Sequence, residues 1–184
     1  MTILYLIRHA HADWTADEDP SLSARGHTDA ERVADLLQTC PISAVYSSPF
    51  RRARETVTPF AMRLRLPVYE IDDLRERDLG TTPIDSFMAA VKTTWEKPTL
   101  VFPGGESNAA AQQRGVAVIR DLLDRHPGQQ IVVGTHGNLL ALILQHFDPS
   151  VGFSFWQSLA MPDVYRLEVR DGQAIRQRLW QTPS

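Results

Sequence analysis

A chain of 184 residues, 43% hydrophobic and 22% charged, holds enough apolar material for one core, and division would leave pieces near the lower limit of domain size. The net charge of -3 excludes a bulk electrostatic pull toward nucleic acid or anionic lipid, and the single cysteine, Cys40, excludes an intrachain disulfide. No apolar run approaches the ~20 residues that span a bilayer, and MTILYLIRHA is too short an apolar run, with no charge before it, for a secretory signal. The expectation is a cytoplasmic protein, monomer or homodimer, without nucleic-acid or membrane partners.

Ile3 to Ile7 form a continuous apolar run with β-branched residues, the pattern of a strand buried on both faces. A loop follows over 8–22. Leu22-Ser23-Ala24-Arg25-Gly26 then leads into helical spacing at Ala30, Val33, Ala34 and Leu37. Ile42 to Tyr46 reads as the second strand, Phe50 to about Leu64 as a basic amphipathic helix, and Val68 to Ile71 as the third strand. Residues 83–97 suit a helix. A Pro103-Gly104-Gly105 turn precedes a long helix from about Ser107 to Arg125. Ile131 to Val133 is the fourth strand and Leu139 to Phe147 an apolar helix. Asp171-Gly172 between Val164–Val169 and Ala174–Leu179 signals a hairpin. Alternating strands and helices predict an α/β fold: a three-layer sandwich with a mostly parallel central sheet, helices on both faces and an antiparallel edge hairpin near the C-terminus, in one domain over 1–184.

Ligands of such sheets bind outside the carboxyl ends of the strands. Arg8-His9 follows the first strand, Ser47-Ser48-Pro49 with Arg51-Arg52 the second, and Thr135-His136-Gly137 the fourth. The third leads into Asp72-Asp73-Leu74-Arg75-Glu76-Arg77. One rim therefore gathers two histidines, several arginines and a carboxylate. Phosphoryl transfer needs this set, because its catalysis is mostly positioning and stabilisation of charge on oxygen. The arginine fork matches phosphate oxygens and stays charged. LIRHAHADW alone admits a second reading, a metal held by His9-x-His11-x-Asp13. That reading lacks a further histidine after Asp13, where Trp14 stands, and Arg8 would repel the cation.

The whole chain resembles the histidine phosphatase superfamily, the phosphoglycerate-mutase-like fold. The resemblance rests on six motifs in order: Leu6-Ile7-Arg8-His9; Leu22-Ser23-Ala24-Arg25-Gly26; Ser47 to Thr56 in the form Ser-Ser-x-x-x-Arg-Ala-x-x-Thr; Leu74-Arg75-Glu76-Arg77-Asp78-Leu79-Gly80; Gly105-Glu106-Ser107; and Thr135-His136-Gly137. It implies that His9 attacks phosphorus and becomes a phosphohistidine, with its other ring nitrogen held by a backbone carbonyl. It implies that Arg8, Arg52 and His136 clamp the phosphoryl oxygens, with the Gly137 amide as a further donor. Glu76 would protonate the leaving oxygen and then activate water. Arg52 rather than Arg51 fits the motif, because it precedes Ala53.

Ala10 stands where the family often has glycine, and Ala12 and Thr15 where it often has Ser or Thr and Asn. Thr15 is kept as a substrate-binding candidate. The segment of about 81–103 has room for one helix as a short cap. That favours hydrolysis of a small phosphorylated substrate, without metal or other cofactor, over a mutase. A protein phosphohistidine phosphatase on the same fold, a metallohydrolase and a non-catalytic phospho-binding protein are the rivals; the last would not need both His9 and Glu76. His11, His27, His126 and His146 are read as non-catalytic, and Asp72, Asp73, Arg75, Arg77 and Asp78 as surface pairs around Glu76. Among the aromatic residues, Trp14 is the one expected at the substrate mouth.

Overall fold

The computed structural model describes residues 1–13, 19–81, 86–170 and 173–181. In chain order the elements are β1 (Thr2–Arg8), α1 (Ala24–Leu37), β2 (Ile42–Ser47), α2 (Arg51–Leu64), β3 (Val68–Glu70), a 3-10 turn (Asp72–Leu74), α3 (Phe87–Glu96), α4 (Asn108–Arg125), β4 (Gln130–Thr135), α5 (Gly137–Phe147), α6 (Phe153–Ser158), β5 (Asp163–Arg170) and β6 (Gln173–Arg178).

The strands form one sheet in the order β3-β2-β4-β1-β5-β6. β3, β2, β4 and β1 pair in parallel. β5 runs antiparallel to β1, and β6 antiparallel to β5, which is the predicted edge hairpin. Its Asp171-Gly172 turn lies outside the described residues. Side chains alternate along each strand and supply one core per face. Leu4 and Leu6 of β1, Ile131 and Val133 of β4, and Tyr165 and Leu167 of β5 pack with Ile119, Leu139 and Ile143 of α4 and α5. Ile3, Tyr5 and Ile7, with Val132 and Val164, pack on the other face against Val33, Leu37, Val57 and Phe60 of α1 and α2. Both faces are covered, so before their carboxyl ends β1 and β4 carry polar groups only at Thr2, Gln130 and the Tyr5 hydroxyl, which donates to Gln130.

The differences from expectation have local causes. β4 runs on to Thr135 because β1 extends to Arg8, and the two residues are partners in the parallel ladder. β3 is a three-residue edge strand, so the segment carrying Glu76 leaves it early. α6 has no counterpart among the expected elements; six residues give no helical period to detect, and none of them is fully buried. The helix expected over 83–97 is described from Phe87, residues 82–85 lying outside the described ones. Among the described residues, no helix is long and apolar enough to cross a membrane.

Candidate active site

The chain leaves the sheet at three neighbouring points. The His9 amide bonds to the Thr135 carbonyl at 2.9 Å and the Ser48 amide to that of Gly134 at 2.9 Å. These bonds end β1, β2 and β4 at one level and set His9, Ser48 and His136 side by side. Behind His9 the loop is tied to both helices. The Ala10 amide donates to Thr56 Oγ1, which in turn donates to the Arg52 carbonyl (2.9 and 2.7 Å). The spacing Arg-Ala-x-x-Thr is thereby explained: one helical turn separates Thr56 from the carbonyl it caps. Ala10 is fully buried with Leu22 and Ala30, so its methyl group fills a small apolar niche. Ser23 caps α1 by accepting from the Gly26 amide, and it also contacts His11. Gly26 passes so close to the His11 carbonyl that no Cβ could be placed there.

A cavity of about 430 Å³ opens on this rim. Its reactive lining is Arg8, His9, Arg52, Glu76 and Gly137; its apolar lining includes Phe50, Leu79, Phe87, Val91, Trp156 and Met161. His9 Nδ1 lies 2.7 Å from the Ala10 carbonyl, so it carries the proton. Nε2 is then the lone-pair nitrogen, and Arg52 Nε donates to it at 3.3 Å. Burial, reinforced by the Arg52 and Arg8 charges, pushes the His9 pKa down to about 3, against the bond to Ala10. The imidazole is therefore neutral across the physiological range.

Arg8 is partly buried. Its Nη1 donates to the Leu159 and Ala160 carbonyls (3.0 and 3.2 Å), while Nε has no partner. Burial lowers its pKa, opposed by the Glu76 and Asp163 carboxylates. A Cβ on Gly137 would stand 2.9 Å from Arg8 Nε, which is why glycine follows His136. Arg52 lies over the Phe50 ring at 4.8 Å and within 3.9 Å of Asp19. Arg51, in contrast, pairs outward with Glu55 at 2.8 Å.

His136 stands against His9 with ring centroids 5.1 Å apart and is wholly buried. Its Nε2 meets Ser48 Oγ at 2.8 Å and its Nδ1 has no partner. Burial, with the neighbouring His9 and arginines, holds it neutral. Glu76 receives three backbone amides: Arg77 and Leu139 donate to Oε1 and Asn138 to Oε2, each at 2.9 Å. Two of these come from the first turn of α5, where the helix dipole favours a carboxylate.

One reading of the sequence changes here. Arg77 is not a surface partner: it is 5% exposed, lines the cavity, and its Nε and Nη1 have no hydrogen-bond partner. The surface pair is Arg75 with Asp72, at 3.1 Å. The aromatic residues at the mouth are Phe87 and Trp156; Trp14 and Thr15 lie outside the described residues. His11 Nδ1 bonds to Ser23 Oγ at 2.9 Å, away from the His9 ring nitrogens. Among the described residues, no three His, Cys, Asp or Glu side chains are grouped as metal ligands. Sequence reasoning also passed over Ser48, which holds His136, although the Ser-Ser motif contained it.

An α/β sheet with two neutral histidines and two partly buried guanidiniums at its carboxyl edge defines a phosphoryl-handling class of protein. Residues 4–181 match the histidine phosphatase superfamily (branch 1), and the chain belongs to that family. It is 32% identical over 164 residues to phosphoglycerate mutase-like protein 4 of Arabidopsis thaliana, covering 80% of this chain and 71% of that protein. It is 30% identical over 150 residues to phosphoserine phosphatase 1 of Hydrogenobacter thermophilus, covering 74% and 71%. Among solved structures, Bacillus stearothermophilus YhfR superposes with a TM-score of 0.80 at 27% identity, covering 95% of each chain.

Proposed function

We propose that the protein is a metal-independent phosphatase that hydrolyses phosphate monoesters through a phosphohistidine on His9. The observation that carries this reading is the His9 tautomer: Nδ1–H is fixed on a carbonyl, and an unprotonated Nε2 faces the Arg52 guanidinium. A neutral imidazole in that position attacks phosphorus, and the arginines stabilise charge on the equatorial oxygens. As the N–P bond forms, the bond from phosphorus to the ester oxygen breaks. Glu76 passes a proton to that oxygen. It then takes one from the water that attacks the phosphohistidine, releasing phosphate and restoring His9. Oε2 is the acid atom, since it accepts one amide where Oε1 accepts two and so keeps a position for the proton. The unpartnered Nδ1 of His136, once protonated on that nitrogen, donates to a phosphoryl oxygen.

The unpaired donors of Arg77 support an ester whose alcohol carries its own anion. Phosphoserine, named for the Hydrogenobacter relative, has such a group. The mutase alternative, raised by the Arabidopsis relative's name, differs in the fate of the phosphohistidine: transfer back to an alcohol rather than to water.

The test is chemical trapping. Purified protein mixed with labelled substrate and quenched in alkali should yield an acid-labile phosphoprotein, absent from His9→Ala. Turnover of p-nitrophenyl phosphate should persist in EDTA, with one inorganic phosphate released per phenol. A His9→Ala protein that still turns over would falsify the nucleophile assignment. Loss in EDTA with recovery on zinc would overturn the metal-independent claim, and phosphate appearing on an added alcohol in place of free phosphate would favour the mutase.

A further inference from the structure

Glu76 lies in a stretch that belongs to no strand or helix. After the 3-10 turn, residues 75–80 are irregular, and irregular backbone near a core must find partners for its carbonyls elsewhere. Here one side chain supplies most of them. Arg114, on α4, donates from Nη1 to the carbonyls of Asp73 and Arg75 (2.6 and 2.9 Å) and from Nη2 to that of Glu76 (3.3 Å). The Leu74 carbonyl between them accepts from Thr135 Oγ1 at 2.8 Å. Four consecutive carbonyls are thus bound, three of them by one guanidinium.

The guanidinium is itself aimed. Glu106 accepts from Nε and Nη2 at 2.8 Å each, the paired geometry that fixes the plane of an arginine. All five N–H groups of Arg114 are thereby engaged. Glu106 is anchored in turn: its amide bonds to the Asp78 carbonyl at 2.8 Å, so the brace returns to the loop it supports. The pair is shielded, with side chains 16% and 25% exposed. Neither residue lines the cavity.

We infer that Arg114, oriented by Glu106, is the positioning residue that sets where the Glu76 carboxyl group meets the leaving oxygen; this rests on the proton-donor role proposed for Glu76. Amides from α5 hold the carboxyl end of Glu76 and Arg114 holds its main chain, so neither constraint alone locates the acid. A neutral or unforked side chain at 114 frees three carbonyls at once and lets the loop drift, while His9, Arg8 and Arg52 keep their own supports. The loss therefore falls on proton transfer more than on phosphoryl binding.

A series of aryl phosphates with phenols of graded acidity reads this directly. Poor leaving groups need the proton and p-nitrophenolate needs it least. With Glu76→Gln, kcat should become steeply dependent on phenol acidity. Arg114→Gln should steepen the dependence in the same sense, with phenyl phosphate losing about tenfold more than p-nitrophenyl phosphate, a fraction of what a full general acid contributes. Adding Arg114→Gln to Glu76→Gln should then cost little further, because both act through one proton. Equal losses on every ester, or a loss that adds in full to that of Glu76→Gln, would overturn the inference. An unchanged slope in Glu76→Gln itself would remove the acid assignment instead, and that single variant tells the two failures apart. If Arg114→Gln does not fold, Glu106→Gln carries the same test: it leaves the guanidinium in place but unaimed, and should steepen the slope by a smaller factor. A flat slope there overturns the inference equally.

Discussion

The floor and the wall of the cavity are built in different ways. Arg8, His9 and Arg52 on the floor, with His136 packed against His9, lie at or just past the carboxyl ends of β1, β2 and β4, and each is tied by hydrogen bonds or ring contacts. Phe87, Val91, Trp156 and Met161 on the wall come from α3, α6 and a loop, and Phe87 is 45% exposed. The sheet fixes the floor to its own geometry. The wall rests on short elements at its margin and is held by packing. In the proposed mechanism chemistry belongs to the floor and selection of the leaving group to the wall, and substitutions should separate the two.

The largest effect should come from Arg52→Ala. It removes the donor to His9 Nε2 and one of the three guanidiniums that line a partly desolvated site. A fall in kcat/KM of about 1,000-fold is expected for every ester, the scale of losing a donor to transition-state charge. A loss below about tenfold would place phosphoryl binding elsewhere and end the comparison.

Gly137→Ala probes the floor without touching a charge. The added methyl group would stand 2.9 Å from Arg8 Nε, so the guanidinium must shift while staying charged. A loss of about 30-fold is expected, on the principle that misplacement of about an ångström at the chemistry costs up to a hundredfold. Gly152→Ala is the control, since nothing lies within 4 Å of a Cβ there. Equal activity in the two variants would show that the position of Arg8 does not matter.

The difference between floor and wall also explains what was legible in the sequence. His9, Arg52 and His136 could be placed together because strand ends are readable from apolar runs, and the sheet rule brings those ends to one edge. Glu76 was recognised from its motif, but its supports were not. Arg114 sits on a helix 38 residues away, in a pattern that looks like any basic position on an amphipathic face. Arg77 was read as surface because charged neighbours surround it in sequence; its burial is set by tertiary packing around the cavity, which no local period encodes. Phe87 and Trp156 belong to short helices whose packing is set by tertiary contacts.

Acid stability tests the burial of the floor. The folded state holds His9 at about 3, whereas a histidine in an unfolded chain titrates near ~6.5. Between these values the unfolded chain binds the proton and the folded protein does not. Stability therefore rises with pH across that window and falls as acid is added. His136, also lowered, acts with the same sign. Each contributes a slope of up to ~1.4 kcal/mol per pH unit. Urea midpoints measured between pH 6.5 and 4 should decline, and His9→Asn should make the decline shallower. Parallel curves for the two proteins would mean that His9 is solvated or charged in the folded state.

The smallest effect should belong to the wall. Phe87 sits near the start of α3, half-exposed, with its ring at the cavity mouth and no polar group to orient. A ligand ring resting there would cover only part of it, worth about 1 kcal/mol at ordinary apolar burial values. Phe87→Ala should therefore raise KM for aryl phosphates about fivefold relative to small alkyl phosphates, with kcat nearly constant, because the contact is the same in the ground state and the transition state. A fall in kcat shared by both ester types would show instead that α3 positions the reacting groups. The route for that would be Trp95, which donates to Asn138 at 3.1 Å beside the amide that holds Glu76. Wall and floor would then be one mechanical unit, and the division drawn between them would have to move outward, to the exposed face of α3.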